Sequence, residues 1–237
     1  MTSISKSKNF YEQSYCDKGI TAQRKYPNEE LCRFIGRRFG DLSHLQKQEL
    51  KAVEMGCGSG ANLWMLAHEG FDTYGVDFSG EALSLCKKTL ESYGVGAKLF
   101  RTDMKQTSFD HNYFSICVDV FSSNCLDTNQ GEQFISEVYR ILKRGGTFFS
   151  YFPSKCSDAF QEHLPSKLID QNTLNGIYRK SSPFYCQPYS FRFLYPEEYI
   201  SLLEKSGFNV TYSELISRTY RSREETFSWC VIECQKK

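Results

Sequence analysis

The sequence of 237 residues contains no run of roughly 18 uninterrupted apolar residues, so no membrane-spanning helix is expected. Its opening stretch, Met1 to Phe10, is polar and lacks the apolar segment of a secretory leader. No Cys-x-x-Cys pair occurs, and the four histidines (His44, His68, His111, His163) are scattered, so a structural metal site has no ligand set to stand on. Charge of one sign is also missing. The 29 basic and 28 acidic residues leave a net charge of +1, which gives no electrostatic footprint for a phosphate backbone. These absences lead us to expect a cytoplasmic protein with neither a nucleic-acid nor a membrane partner.

Ten cysteines are present, but they fall inside apolar runs such as Ile116-Cys117-Val118. A reduced cysteine packs there as a small hydrophobe, which fits a reducing compartment. With 40% hydrophobic and 24% charged residues, the chain is long enough to bury one large core.

From Leu50 to Phe152 short apolar strands alternate with helical patterns, the signature of a parallel sheet with crossover helices. The expected strands are Ala52–Met55, Thr73–Val76, Lys98–Thr102, the run marked by Phe114, Ile116 and Val118, and Thr147–Phe152. Between them lie helices carrying Leu63 and Leu66; Leu83, Cys86 and Leu90 after the cap Ser79; and Phe134, Val138, Ile141 and Leu142 before a Lys143-Arg144-Gly145-Gly146 stop. After Pro153 the pattern dissolves for about 41 residues. It then resumes with a helix opened by Pro196 and two closing strands, near Asn209–Ile216 and Glu225–Cys234. A connection that long is usually a lid or a substrate loop.

The chemistry concentrates at the strand ends. Glu54-Met55-Gly56-Cys57-Gly58-Ser59-Gly60 closes the first strand, and its alternating glycines let the backbone turn sharply and approach a ligand. Gly56, Gly58 and Ala61, with Asp77 about twenty positions later, also satisfy a dinucleotide-binding pattern, so the loop alone decides nothing. The fuller set is an acidic residue two before the first glycine, glycines at 56, 58 and 60, Asp77 after strand two and Asp103 after strand three.

That set resembles the class I methyltransferases that use S-adenosylmethionine (SAM). The resemblance is close over Leu50 to Phe152 and extends to the C-terminus, where the last two strands look like the antiparallel sixth and seventh strands of that fold. It implies an α/β fold: a doubly wound, seven-stranded, mostly parallel Rossmann-like sheet. We expect an N-terminal helical cap over residues 1–45 and a SAM-binding domain over 46–237, with a lid insertion after strand five at about 154–194.

The resemblance assigns the methionyl part of SAM to Gly56, Gly58 and Gly60 and the ribose hydroxyls to Asp77, with Glu54, Cys57 and Asn62 as further cofactor contacts. Asp103, Met104 and Phe78 fall to the adenine, and Asp119 and Val120 are cofactor contacts at the end of strand four, which in that fold lies beside the reactive methyl. Glu54 and Asp119 have a plainer alternative, as carboxylates capping backbone amides at strand ends. Arg24 and Tyr26 are placed near the SAM carboxylate, or else on a solvated basic approach to a helix. This N-terminal segment also resembles methyltransferases encoded with bacterial surface-polysaccharide enzymes.

The expected reaction is methyl transfer from SAM to a small-molecule acceptor by in-line displacement, which mainly demands alignment and exclusion of water. Candidate acceptor contacts are Tyr11, Tyr15, Asn124, His163, Tyr185, Tyr189 and Arg192. No catalytic base is assigned. Five basic residues of the insertion (Lys155, Lys167, Arg179, Lys180, Arg192) favour an anionic or sugar-linked acceptor. No metal is expected, because Phe152-Pro153-Ser154-Lys155 stands where a metal-dependent catechol-type enzyme carries an Asp-Asn pair. No Pro-Pro-Tyr follows Asn124, which separates the chain from amino-methylating DNA enzymes. The alternatives are a protein or RNA methyltransferase, a SAM-binding module without catalysis, and a nicotinamide dehydrogenase.

Overall fold

A computed structural model describes residues 3–237, the side chains of residues 3–6, 8 and 20 excepted. Three helices come first: α1 (Ser3–Lys18), α2 (Glu29–Phe39) and α3 (His44–Gln48). The alternating region follows as β1 (Lys51–Met55), α4 (Leu63–His68), β2 (Asp72–Asp77), α5 (Gly80–Ser92), β3 (Lys98–Arg101), β4 (Phe114–Val120), α6 (Thr128–Ile141) and β5 (Leu142–Pro153). The insertion carries α7 (Asp158–Gln161), β6 (Thr173–Leu174) and β7 (Phe191–Arg192). The chain closes with α8 (Pro196–Lys205), β8 (Phe208–Tyr220) and β9 (Glu225–Lys236).

The main sheet has seven strands in the order β3-β2-β1-β4-β5-β9-β8. Strands β1 to β5 pair in parallel, and the order reverses between β1 and β4. In open α/β sheets such a reversal opens a crevice at the carboxyl ends of the strands. The expectation of two antiparallel closing strands is corrected: β9 runs antiparallel to both β5 and β8, so β8 itself points the same way as β5.

Local chemistry explains the boundaries. Asn28 starts α2 by accepting the amides of Glu30 and Leu31, and Asp127 starts α6 through a capping box with Gln130. Ser79 caps α5 through Ala82 N. The expected helix stop at Gly145-Gly146 lies elsewhere: α6 ends at Ile141, and Leu142 already pairs with Phe114. A register shift between Phe114 and Ile116 absorbs the extra residues, which the glycines permit.

Both faces of the sheet are covered. Phe34 of α2 stacks on Phe149 of β5 with ring centroids 4.8 Å apart, while Phe134 of α6 meets Phe148 on the other side. Glu233 of β9, buried, receives Arg37 and Arg38 of α2 and so pins that helix to the sheet. Among the described residues no helix is long and apolar enough to cross a membrane.

Within the N-terminal segment expected to be a helical cap, α1 is a helix of 16 residues. The insertion is not structureless, because Leu174, Ile177, Tyr189, Phe191, Phe193 and Leu194 are all buried. Most of its rings therefore pack onto the body of the protein.

Candidate functional site

A cavity of about 720 Å³ opens over the carboxyl ends of β1, β2, β3 and β4. Its roof is α1, which turns Ser7, Phe10, Tyr11, Ser14, Tyr15 and Lys18 inward. These positions recur at intervals of three and four, so they share one helical face. The volume lies in the range of small-molecule and cofactor sites.

The glycine loop sets the floor. Gly56 has φ +76°, and a Cβ there would lie 2.4 Å from Ser122 Cβ. Gly58 has φ +51°, and a Cβ there would lie 2.3 Å from Gln23 Oε1 and 2.8 Å from the Tyr15 hydroxyl. The left-handed backbone at both positions favours glycine, and at Gly56 a side chain would also press on Ser122 Cβ. The loop amides are occupied: Gly56 N and Cys57 N donate to Val76 O, Gly60 N donates to Cys57 O, and Gly58 N donates to Asp77. At these four positions the loop offers close approach and not free donors.

Asp77, at the end of β2, is buried and faces the cavity. Its Oδ2 accepts Gly58 N at 2.9 Å and its Oδ1 accepts Ser79 N at 2.9 Å, leaving each oxygen a further lone pair. Burial lifts its pKa above the usual carboxylate value, against the pull of those two amides.

Glu54, at the end of β1, is buried and lines the same cavity. Its Oε1 accepts Asn62 Nδ2 at 2.5 Å, while Oε2 has no partner among the described residues. Asn62 Oδ1 in turn receives Arg24 Nη2 at 3.1 Å and the Asn28 amide at 2.9 Å. Burial pushes the Glu54 carboxyl up to about 8, with the Asn62 bond and the Arg24 charge opposing it. A buried carboxyl with one oxygen unsatisfied is costly unless a ligand completes it.

Asp103 and Met104 follow β3 and line the cavity with Phe78. Asp103 is exposed and paired with Lys105, whose Nζ lies 2.6 Å from Oδ2. Val120 also faces the cavity, whereas Asp119 does not. Asp119 is fully buried and takes Ser122 N, Ser123 N and both serine hydroxyls, so its geometry is that of a cap on the turn after β4.

Of the residues expected to meet the acceptor, Tyr11, Tyr15 and Tyr189 reach the cavity wall. Tyr11 and Tyr189 share a hydroxyl-to-hydroxyl hydrogen bond of 2.6 Å. The others stand outside it. Tyr185 is exposed, as is Tyr26, and His163 bonds Ser166 O through Nδ1. Asn124 is buried, and neither of its amide side-chain atoms has a partner among the described residues.

Arg192 is fully buried behind the wall, with its guanidinium over the Phe152 ring at 4.8 Å. This corrects the expectation of an anion-binding insertion, since none of its five basic residues lines the cavity. Lys155 pairs with Glu198, and Arg179 pairs with Glu162 and Glu225.

The wall also contains residues that the sequence does not single out. Phe10, Gln23, Phe121, Cys125 and Gln187 all line the cavity. The spacing of Phe10 with Tyr11 and Tyr15 on one helical face was the available signal. Phe121 carried none: it holds φ +59°, strained for a bulky residue, and this aims its ring at Phe184 with centroids 4.7 Å apart.

Residues 52–146 match the family model described as "Methyltransferase domain". A tRNA N(3)-methylcytidine methyltransferase of Schizosaccharomyces pombe is 26% identical over 126 residues, which is 48% of this chain and 41% of that protein. The chain spans about two-fifths (39–42%) of the length of the curated relatives it matches.

Among solved structures, a 1,6-didemethyltoxoflavin N1-methyltransferase of Burkholderia thailandensis, with its acceptor and S-adenosylhomocysteine bound, superposes with a TM-score of 0.69. It is 12% identical and covers 99% of this chain and 88% of its own. A SAM-dependent methyltransferase from Methanosarcina mazei gives a TM-score of 0.64 at 20% identity, over 79% of this chain and 92% of its own.

Proposed function

We propose that this chain, whose residues 52–146 belong to the methyltransferase-domain family and whose fold is the Rossmann-like fold of the class I SAM-dependent enzymes, binds SAM and transfers its methyl group to a small-molecule acceptor. The observation that carries this reading is the unsatisfied Glu54 Oε2 in the wall of the roofed cavity, on the side where Arg24 and Asp77 also face in. An ammonium donor completes Glu54, and a carboxylate suits Arg24, so the pair fits the two ends of an amino-acid moiety. Asp77 has lone pairs left for the two ribose hydroxyls. Phe78, Asp103 and Met104 stand where an adenine ring would lie.

When bound, SAM supplies a methyl group on a positively charged sulfur that leaves as a neutral thioether. The protein's own part is to hold the cofactor, align the acceptor and keep water out. α1 and the insertion close over the cavity from two sides and meet at Tyr11 and Tyr189. In this reading residues 1–45 act as a cap on a SAM-binding domain of residues 46–237, and the insertion at about 154–194 contributes the acceptor wall.

An RNA acceptor is the second reading, favoured by the tRNA-modifying relative. The small-molecule reading rests on the roof and on the balance of 29 basic against 28 acidic residues. Incubation with methyl-labelled SAM and separate RNA, protein and low-molecular-weight fractions tests it. Label is expected in the last fraction, and label confined to RNA overturns the small-molecule assignment.

A further inference from the structure

The two halves of the cavity differ in charge. Every Asp, Glu, Lys and Arg that lines it lies at the ends of β1, β2 and β3, in the segment around Arg24, or at the C-terminal end of α1. The half beside β4 and the insertion is walled by Phe10, Tyr11, Phe121, Cys125, Phe184 and Tyr189, together with Gln187. Among the described residues this half holds no formal charge and no histidine. The rings form a connected set: Phe10 to Tyr189 is 5.3 Å between centroids, Tyr11 to Tyr189 is 5.1 Å, and Phe121 to Phe184 is 4.7 Å.

Taking the proposed function as its basis, the geometry points to an uncharged, planar heteroaromatic acceptor that is methylated on a ring nitrogen. Flat rings fill a wall of rings, and edge or offset stacking adds to the burial of area. Among the described residues no cation lines this half, since Arg192 stays buried behind the wall, so an anion entering it would be desolvated without a direct partner. Burial, then the carboxylates of Asp119 and Asp77, raise the Cys125 thiol to about 12, outweighing the opposing charge of Arg192 behind the wall. The Tyr11–Tyr189 pair uses one hydroxyl proton in its mutual bond, which leaves one O–H to donate to a neutral heteroatom.

The same wall bears on the chemistry. Burial holds Tyr11 and Tyr189 well above the ordinary phenol range, so neither removes a proton near neutrality. A ring nitrogen needs no such help. Its lone pair forms the new N–C bond as the C–S bond breaks, the bonding electrons stay on sulfur, and the positive charge passes from sulfur to the ring. An aromatic wall of this kind receives a ring cation more readily than it would an anion.

The test uses the full chain saturated with S-adenosylhomocysteine and two ring probes of matched shape, a methylquinoline and the quinoline carboxylate substituted at the same carbon. Calorimetry should show the uncharged probe binding at least about tenfold more tightly than the anion. Phe184→Ala should weaken the uncharged probe by about tenfold while leaving S-adenosylhomocysteine affinity unchanged. Equal or tighter binding of the carboxylate, or no binding of either probe to the cofactor-loaded protein, overturns the inference and leaves the proposed function standing. Failure of S-adenosylhomocysteine itself to bind sinks the proposed function instead.

Discussion

Asp77 Oδ2 accepts the backbone amide of Gly58 at 2.9 Å, so the carboxylate that ends β2 also holds the glycine loop that follows β1. One residue thereby shapes the floor of the cavity and presents its remaining lone pairs to it. Asp77→Ala should lower SAM affinity by roughly 10- to 150-fold, the range for losing about 1.5–3 kcal/mol of charged hydrogen bonding. Unchanged affinity in a variant with native circular dichroism would remove Asp77 from the site.

Glu54 makes binding pH-dependent. Its carboxyl is pushed up to about 8, so at neutral pH it is mostly protonated, whereas pairing with an ammonium demands the ionised form. SAM binding near pH 7 should therefore release up to one proton, and affinity should rise as pH approaches 8. The calorimetric enthalpy should differ between phosphate and Tris buffers for the wild type and not for Glu54→Gln.

Stability of the unliganded protein runs the other way. Between the ordinary carboxyl value of 4.5 and about 8 the folded state holds more protons than the unfolded state, so this group's contribution falls as pH rises. The slope is up to about 1.4 kcal/mol per pH unit, and Glu54→Gln should remove it from urea-unfolding curves.

Gly131 of α6 faces Arg192, and a Cβ there would lie 1.9 Å from Nη1. Gly131→Ala should cost about 1–3 kcal/mol of folding stability, because the buried guanidinium has little room to move. SAM affinity of the folded variant should stay at the wild-type value. A loss of affinity with no loss of stability would put Arg192 back into the cavity wall.

Methyl transfer should persist in EDTA. Among the described residues no three His, Cys, Asp or Glu side chains gather in a way that could hold a metal ion. The segment after β5, Ser154-Lys155, carries no carboxylate to begin such a set. Activity lost to EDTA and restored by magnesium would contradict this.

The alternation of strands and helices from β1 to β5 was legible because the buried central strands read as short continuous apolar runs between helices with an apolar stripe, and because Gly56, Gly58, Asp77 and Asp103 mark the strand ends. The roof was not. α1 carries Ser7, Ser14 and Lys18 on its inward face, and a helix that lines a cavity does not show the apolar stripe of one that faces a core. Arg192 misled for a related reason. A lone arginine in an aromatic-rich insertion reads as a ligand contact, whereas its position opposite Thr173 in the β6–β7 pair turns it into the interior. Gln187 and Phe121 reach the wall only through the backbone geometry of the loops that carry them.

The glycine loop alone is compatible with a dinucleotide, so the most direct measurement is calorimetric titration of the full chain with SAM, S-adenosylhomocysteine and NAD under one set of conditions. The account predicts one site that takes SAM and S-adenosylhomocysteine, is weakened by Asp77→Ala, and shows no heat with NAD. Binding of NAD in that site with no response to either SAM ligand would contradict it.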